Sequence, residues 1–179
     1  AVRAVCEDRI APRAAEIDER DEFPHDVHRV LVDNELMAVG YPEEHGGAGE
    51  SSLAFAVFIE EVARVSAACS LIPAVNKLGS MPLLVGGSDE VKQAYLPPLA
   101  RGEAMFSYAL SEPEAGSDAG GMRTTAVRDG DEWVLNGAKR WITNAGVSEY
   151  YTVLAVTDPA ARSHGITAFV VERSDSGVS

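Results

Sequence analysis

The hydrophobic pattern of this chain changes its period once, near residue 104, and that change limits the folds the chain can adopt. Before it, apolar residues recur at the three- and four-residue spacing of buried helix faces. After it, short apolar runs are bounded by turn residues, as strands are. Because the helices precede the strands instead of alternating with them, the pattern predicts an α+β protein and argues against a doubly wound α/β sheet. We expect an all-helical bundle over residues 1–103 and an antiparallel β-barrel or sandwich domain over residues 104–179.

Short runs rich in apolar residues mark the expected strands. There are six of them: Met105–Leu110, Thr124–Arg128, Glu132–Leu135, Lys139–Thr143, Tyr151–Thr157 and Gly165–Val171. The pairs Asp129-Gly130 and Asn136-Gly137 are typical of two-residue hairpin turns. Among the helices, residues 52–70 predict one buried helix, and two prolines and a glycine in residues 71–85 predict two short helices or one broken helix after it.

Charge excludes some classes of partner. The formal net charge of −13 argues against nucleic-acid binding, which needs a basic face, and against an anionic membrane surface. It does not exclude one small phosphorylated ligand, because a local nest of backbone N–H groups can hold a phosphate. We expect no membrane span, since no stretch reads as sufficiently long and apolar, and no signal peptide.

Cysteine and histidine positions argue against a disulfide framework and a metal site. Cys6 and Cys69 are far apart and lack the spacing of metal ligands, so we expect two buried or half-buried thiols in a reducing, cytoplasmic compartment. His25 and His28 lie three residues apart without a third ligand nearby, which favours surface histidines. No metal is expected.

The stretch Tyr108–Asp118 predicts a strand that ends in an anion-binding turn. Its apolar part leads into Ser111-Glu112-Pro113, where the proline cannot continue a ladder. Gly116 lets the backbone approach a ligand closely, and Ser117 adds a hydroxyl. An ordinary surface turn is the alternative. For Glu112, a carboxylate that ties the turn to backbone donors is favoured over a catalytic acid or base.

Two further stretches leave alternatives open. The glycine-rich loop of residues 40–49 lacks the Lys-Ser/Thr ending of a phosphate loop, so a flexible or shape-fitting loop is favoured. In a strand over Lys139–Thr143, Trp141 and Thr143 would share one face. Such a face can pack against a planar ring and hydrogen-bond to it, although a core tryptophan beside a satisfied threonine explains the same residues.

Taken together, these motifs resemble the acyl-CoA dehydrogenase flavoprotein family. The resemblance rests on Tyr-Ala-Leu-Ser-Glu-Pro-Glu-Ala-Gly-Ser-Asp at residues 108–118, followed by Asn-Gly-x-Lys-x-Trp-Ile-Thr-Asn-Ala-Gly at residues 136–146. Tyr-Pro-Glu-Glu-His-Gly-Gly at residues 41–47 and Phe-Ser-Tyr at 106–108 are similar to it as well, in the same order. The resemblance extends over essentially the whole chain.

The resemblance implies an FAD site. It assigns nine residues to the cofactor: Tyr108, Ala109, Leu110, Ser111, Gly116, Ser117, Trp141, Ile142 and Thr143. Backbone groups of Ala109 and Leu110, with the Ser111 hydroxyl, would meet the pyrimidine edge of the flavin. Gly116 and Ser117 would meet the pyrophosphate, and Ser117 would also lie near the CoA part of the substrate.

On the same resemblance, Trp141 would cover the flavin face away from the substrate, and Thr143 would hydrogen-bond near N5, the atom that accepts hydride. The family reaction removes a proton from Cα and a hydride from Cβ of an acyl-CoA thioester. The protein positions the reacting carbons, and the cofactor carries the redox chemistry. Electrons then pass to an electron-transferring flavoprotein. A homotetramer or dimer, and a mitochondrial matrix location in a eukaryote, are further implications.

The chain departs from the family pattern in ways that limit these expectations. Glu114 stands where a small residue is common, and Ser111 stands where Thr is frequent. We expect a truncated chain that lacks the C-terminal helical domain. That domain carries the catalytic base in the family, so no catalytic residue is assigned here and Glu112 is not the base. An acyl-CoA oxidase, a flavin-dependent monooxygenase of the same fold, and a catalytically inert flavin-binding fragment remain alternatives.

Overall fold

The computed structural model describes residues 1–179, in which helices come first and a sheet follows. The α-helices are α1 Val2–Val5, α2 Ala14–Arg20, α3 His25–Asp33, α4 Ser52–Val65, α5 Ala67–Gly86 and α6 Asp89–Ala100. A π-helical turn, Cys6–Ile10, joins α1 to the segment that precedes α2. The strands are β1 Phe106–Ala109, β2 Thr125–Asp129, β3 Glu132–Asn136, β4 Tyr150–Val156 and β5 Ile166–Glu172. The α+β order predicted from the change of period is confirmed.

Helix α5 is the central element, and it differs from the prediction in two ways. It is one helix of 20 residues that runs through both prolines and Gly79, so the expected break is absent. The helix expected over residues 52–70 instead ends at Val65, because Ser66 is extended and its hydroxyl caps the start of α5 by accepting from the Cys69 N–H at 3.2 Å. Packing against the sheet outweighs the local preference of proline here.

Helix α5 is also long and apolar enough to cross a membrane by length and composition, which the sequence reasoning did not anticipate. Half of its apolar window is buried inside the protein, as in the core helix of a globular domain. It packs closely on β1 at Gly79, where a Cβ atom would lie 2.9 Å from the Phe106 carbonyl oxygen. The glycine therefore permits the approach of helix and strand.

The sheet is mixed and open. Strand β4 pairs in parallel with β1 on one edge and antiparallel with β5 on the other. The β2–β3 hairpin joins β4 through one parallel pair, Thr125 with Val156. The expectation of antiparallel pairing throughout is therefore wrong for β1 and β2. A long connection separates β1 from β4, and that length allows the parallel pairing.

One of the two predicted hairpins forms. Asp129 pairs with Glu132 across a two-residue turn, and Gly130 adopts a φ of 62°. The hairpin predicted at Asn136-Gly137 does not form, because no strand follows it. Gly137 instead lies against the start of β2, where a Cβ atom would come within 2.4 Å of the Thr124 hydroxyl oxygen.

Two apolar clusters hold the helices and the sheet together. The larger one lies among the N-terminal helices and includes Met105. The smaller one packs Phe106 against residues of α5 and α6. Buried polar contacts orient α5 on the sheet. Asn76 of α5 accepts from the Phe106 N–H at 2.7 Å, and the Thr152 hydroxyl of β4 donates to the Gly79 carbonyl of α5 at 2.6 Å. Strand β1 is therefore fixed along its length, and its C-terminal end leads into the candidate site.

Candidate functional site

The end of β1 presents main-chain donors that have no acceptor within the protein. Beyond Ala109 the chain continues through Leu110 and Ser111 outside the ladder. The Lys139 ammonium donates to the Leu110 carbonyl at 3.1 Å, and the Arg140 N–H donates to the Ser111 carbonyl at 2.8 Å. The N–H groups of Leu110 and Ser111 and the Ser111 hydroxyl remain without a protein partner. This end of the strand can donate to a ligand rich in carbonyl or ring-nitrogen acceptors.

Glu112 has the structural role that the sequence favoured. One carboxylate oxygen accepts from the Arg123 N–H at 2.6 Å, and the other accepts from the Thr124 N–H at 3.0 Å and from Lys139 at 2.8 Å. Burial alone would raise the pKa of the Glu112 carboxyl, but these donors outweigh it and lower that pKa to about 2. Glu112 is therefore an ionised anchor for the turn.

The turn after Glu112 leaves free N–H groups where an anion was predicted. Glu112 and Ala115 close the turn by exchanging main-chain hydrogen bonds of 2.9 and 3.3 Å. The N–H groups of Gly116 and Ser117 that follow have no protein acceptor, and both residues are exposed. A Cβ atom on Gly116 would meet nothing within 4 Å, so a ligand can approach the backbone closely there.

The segment 137–146 is irregular, which corrects the predicted strand over Lys139–Thr143. Trp141 has a φ of 62°, in the left-handed region, so it cannot continue a ladder, and the shared strand face of Trp141 and Thr143 does not exist. Trp141 is 80% exposed, with the Arg140 guanidinium 4.9 Å from its ring centre, so the reading as a core tryptophan is also wrong. Ile142 is half-buried, and the Thr143 hydroxyl is exposed without a partner.

Side-chain tethers hold this segment beside β1 in place of a ladder. The buried Ser107 hydroxyl donates to the Thr143 carbonyl at 2.8 Å and also contacts the Ser148 hydroxyl at 2.8 Å. With the bonds from Lys139 and Arg140, these contacts place segment 139–143 next to residues 107–111. Sequence reasoning missed Lys139 and Ser107 as parts of the site. The only signal for Ser107 was a small polar residue inside an apolar strand.

The glycine-rich loop of residues 40–49 is not an anion cradle. The N–H groups of Gly46, Gly47, Ala48 and Gly49 all donate to carbonyls within the loop or its neighbourhood, at 2.9 to 3.0 Å. Because its donors are satisfied, the loop has no free N–H groups at these positions for a phosphate.

Metal ligands do not cluster in the structure. No group of three or more His, Cys, Asp or Glu side chains is placed to hold a metal ion. Cys6 and Cys69 are free and buried, and burial raises the pKa of both thiols.

Two family models match consecutive parts of the chain. The model of the acyl-CoA dehydrogenase N-terminal domain matches residues 1–103, and that of the acyl-CoA dehydrogenase middle domain matches residues 107–179. The chain belongs to the acyl-CoA dehydrogenase family. The resemblance drawn from the motifs is confirmed.

Individual members of the acyl-CoA dehydrogenase family align with the whole chain. A probable acyl-CoA dehydrogenase FadE25 of Mycobacterium tuberculosis is 57% identical over 177 residues, which are 99% of this chain and 46% of that protein. The chain thus spans about half the length of the curated relatives it matches.

Solved structures of acyl-CoA dehydrogenases share the fold. Butyryl-CoA dehydrogenase of Megasphaera elsdenii is 30% identical with a TM-score of 0.90, and the match covers 98% of this chain and 47% of that one. An acyl-CoA dehydrogenase of Bacillus anthracis, solved in complex with FAD, is 33% identical with a TM-score of 0.86, over 99% of this chain and 30% of that one. The helical part and the mixed sheet are therefore those of an acyl-CoA dehydrogenase.

Proposed function

We propose that this chain forms one wall of the FAD site in an enzyme that oxidises the Cα–Cβ bond of an acyl-CoA thioester. The observation that carries the proposal is the group of unpartnered donors at Leu110 and Ser111, held beside the exposed Trp141 and Thr143. In a member of the acyl-CoA dehydrogenase family, an exposed tryptophan next to free donors fits a flat ring that carries carbonyl and nitrogen acceptors.

The donor chemistry of the strand end and the turn fits FAD. We assign Tyr108, Ala109, Leu110 and Ser111 to the pyrimidine edge of the flavin. Gly116 and Ser117 follow as the anion nest for the pyrophosphate, since their N–H groups are free and open to approach. Ser117 is also the substrate-binding residue that we assign, next to the CoA moiety.

The irregular segment supplies the other contacts. Trp141 would pack on one face of the flat ring, Ile142 would support it from its half-buried position, and the free hydroxyl of Thr143 would donate to or accept from the edge of the ring. FAD supplies the hydride acceptor when it is bound. The residues of this chain hold and orient it, and they exclude water from one face of the ring.

No residue of 1–179 is assigned as the base that takes the Cα proton. Glu112 lies in the site, but its carboxylate is occupied by Lys139 and two backbone N–H groups and stays ionised in that role. A free carboxylate with a raised pKa would suit a base better. We propose that the base lies in another part of the intact protein.

Partners and organisation follow from the same proposal. We propose an acyl-CoA substrate, an electron-transferring flavoprotein as electron acceptor, a homo-oligomer and a cytoplasmic location. We also propose a boundary between a helical domain, residues 1–103, and a β-domain, residues 104–179. The β-domain shares part of its core with the helices through Phe106.

The test is optical. The intact protein that contains this chain is stripped of flavin, titrated with FAD and then mixed with acyl-CoA esters of different chain lengths without oxygen. We expect the oxidised flavin bands to appear with FAD and to bleach with at least one ester. An absence of flavin bands would contradict the cofactor assignment. Rapid oxygen consumption with acyl-CoA, without reduction of an electron-transferring flavoprotein, would favour the oxidase instead.

A further inference from the structure

Lys139 and Glu112 form a buried ion pair that joins the irregular segment 137–146 to the turn after β1. Their side chains are only 10% and 3% exposed, and their charged atoms lie 2.8 Å apart. In every other salt bridge of the chain, both side chains are more exposed than those of Lys139 and Glu112. A buried ion pair is weak evidence for stability, because desolvation offsets much of its attraction. Its location therefore calls for a role besides holding the fold.

The ammonium of Lys139 also binds the main chain at the end of β1, which we assign to the flavin site. It donates to the Leu110 carbonyl at 3.1 Å, in addition to the Glu112 carboxylate. The carbonyl of Leu110 and the N–H of Ser111 belong to the same peptide group. A cation bound at the oxygen of an amide draws electron density from its nitrogen, so it makes the N–H a stronger donor. That N–H is one of the donors that have no acceptor in the protein.

The neighbouring contacts keep this peptide in place. Arg140 donates its N–H to the Ser111 carbonyl at 2.8 Å, so the next peptide is held as well. Glu112 is fixed by the N–H groups of Arg123 and Thr124, and it in turn holds the Lys139 ammonium near the Leu110 carbonyl. Burial keeps water from screening the interaction.

We propose that Lys139 is a positioning residue that polarises the Leu110–Ser111 peptide, so that the Ser111 N–H is a strengthened donor for the electron-accepting ring. Lys139 acts through the main chain and does not touch the ring. Glu112 weakens this polarisation, because its carboxylate neutralises part of the charge of the Lys139 ammonium. The role toward the ring rests on the proposed function, whereas the polarised peptide is a property of the chain alone.

The first test needs no cofactor. In the isotope-labelled chain, Lys139→Met removes the ammonium and keeps a side chain of similar length. We expect the Ser111 amide proton to move upfield in the NMR spectrum by more than the Leu110 amide proton does. Arg101→Met is the matched control, because it breaks an exposed pair with Glu103 and should leave both signals in place.

A second variant covers the case in which Lys139→Met fails to fold with an unpaired buried carboxylate. Glu112→Gln combined with Lys139→Met leaves no unpaired charge, and we expect the same upfield movement of Ser111. Base-catalysed hydrogen exchange at Ser111 should be faster in the unaltered chain than in a folded Lys139 variant, because a polarised N–H is more acidic. Equal exchange at Ser111 with and without Lys139, or a Ser111 signal that does not move in a folded variant, would overturn the proposal.

The second test uses FAD. Negative charge accumulates on the flavin ring on reduction, so a stronger donor should favour the reduced form. We expect Lys139→Met to weaken the binding of reduced FAD about tenfold more than that of oxidised FAD, which for two electrons lowers the midpoint potential by about 30 mV. Equal weakening of both forms would mean that Lys139 only holds the fold. If the intact protein that contains this chain binds no FAD in either form, the proposed function fails, while the Ser111 signal still decides the proposal about the peptide.

Discussion

Replacing Trp141 tests whether its exposed ring is a cofactor surface. The ring is 80% exposed, so Trp141→Ala should change the free energy of unfolding by no more than about 0.5 kcal/mol. A Trp side chain offers about 200 Å² of surface, and a flat ring on one face would cover about half of it. At about 25 cal/mol per Å², the lost contact is worth about 2.5 kcal/mol. FAD should therefore bind about 60-fold more weakly.

The assay for Trp141 is a fluorescence titration of FAD with thermal unfolding in parallel. Trp133→Ala is the matched control, because Trp133 lies in the β2–β3 hairpin, is 44% exposed and packs on Phe169 of β5. It should leave FAD binding unchanged. Trp141→Gly separates binding from stability, since it should relieve about 1 kcal/mol of left-handed backbone strain while FAD binding falls. An FAD affinity within threefold of the original in Trp141→Ala would refute this reasoning.

Three further predictions concern the supports of the site. Gly79→Ala should lower the free energy of unfolding by about 1–3 kcal/mol, because the new Cβ would lie 2.9 Å from the Phe106 carbonyl oxygen. Chemical denaturation measures this. Gly86→Ala is the control and should not destabilise the chain, because its new Cβ would meet nothing within 4 Å. Ser107→Ala should lower the free energy of unfolding by about 1–3 kcal/mol, because it leaves the Thr143 carbonyl without its donor. FAD affinity should fall as well. An unchanged FAD affinity would show that this tether does not position the flavin site. For Glu112 the folded-state pKa, about 2, lies below the usual value, so its contribution is complete above about pH 5 and is lost as the pH falls toward 2. The stability difference between the original chain and Glu112→Gln should therefore be on the order of 3 kcal/mol at pH 7 and shrink in acid; a constant difference would contradict the role of the ionised carboxylate.

The sequence predicted the fold where local pattern and packing agree. The change of period near residue 104 gave the order of helices and sheet, and Asp129-Gly130 gave the hairpin, since a glycine at positive φ suits that turn. Helix α5 was misread because Pro73 and Pro82 argue locally for a break, whereas burial against the sheet keeps the helix continuous. Parallel pairing of β1 with β4 depends on contacts more than 40 residues apart, which no local pattern encodes.

The sequence predicted the local role of Glu112 but not the geometry around it. Glu112 was expected to tie the turn to backbone donors, and it does. Trp141 was expected on a strand or in the core, and it lies on neither, because its backbone is left-handed and its segment is held by side chains. The decisive tether, Lys139 on the Leu110 carbonyl, joins residues 29 apart in sequence. Its geometry becomes visible only in three dimensions.

Residue-level mapping of FAD binding tests the central claim most directly. The labelled chain is titrated with FAD, and the amide signals are followed by NMR. We predict that the signals of Leu110, Ser111, Gly116, Ser117 and Thr143 move together with one affinity, while those of residues 46–49, whose N–H groups are already satisfied, stay in place. Movement confined to other regions of the chain, or no movement at these five residues while FAD binds, would contradict the assignment of this surface to the flavin.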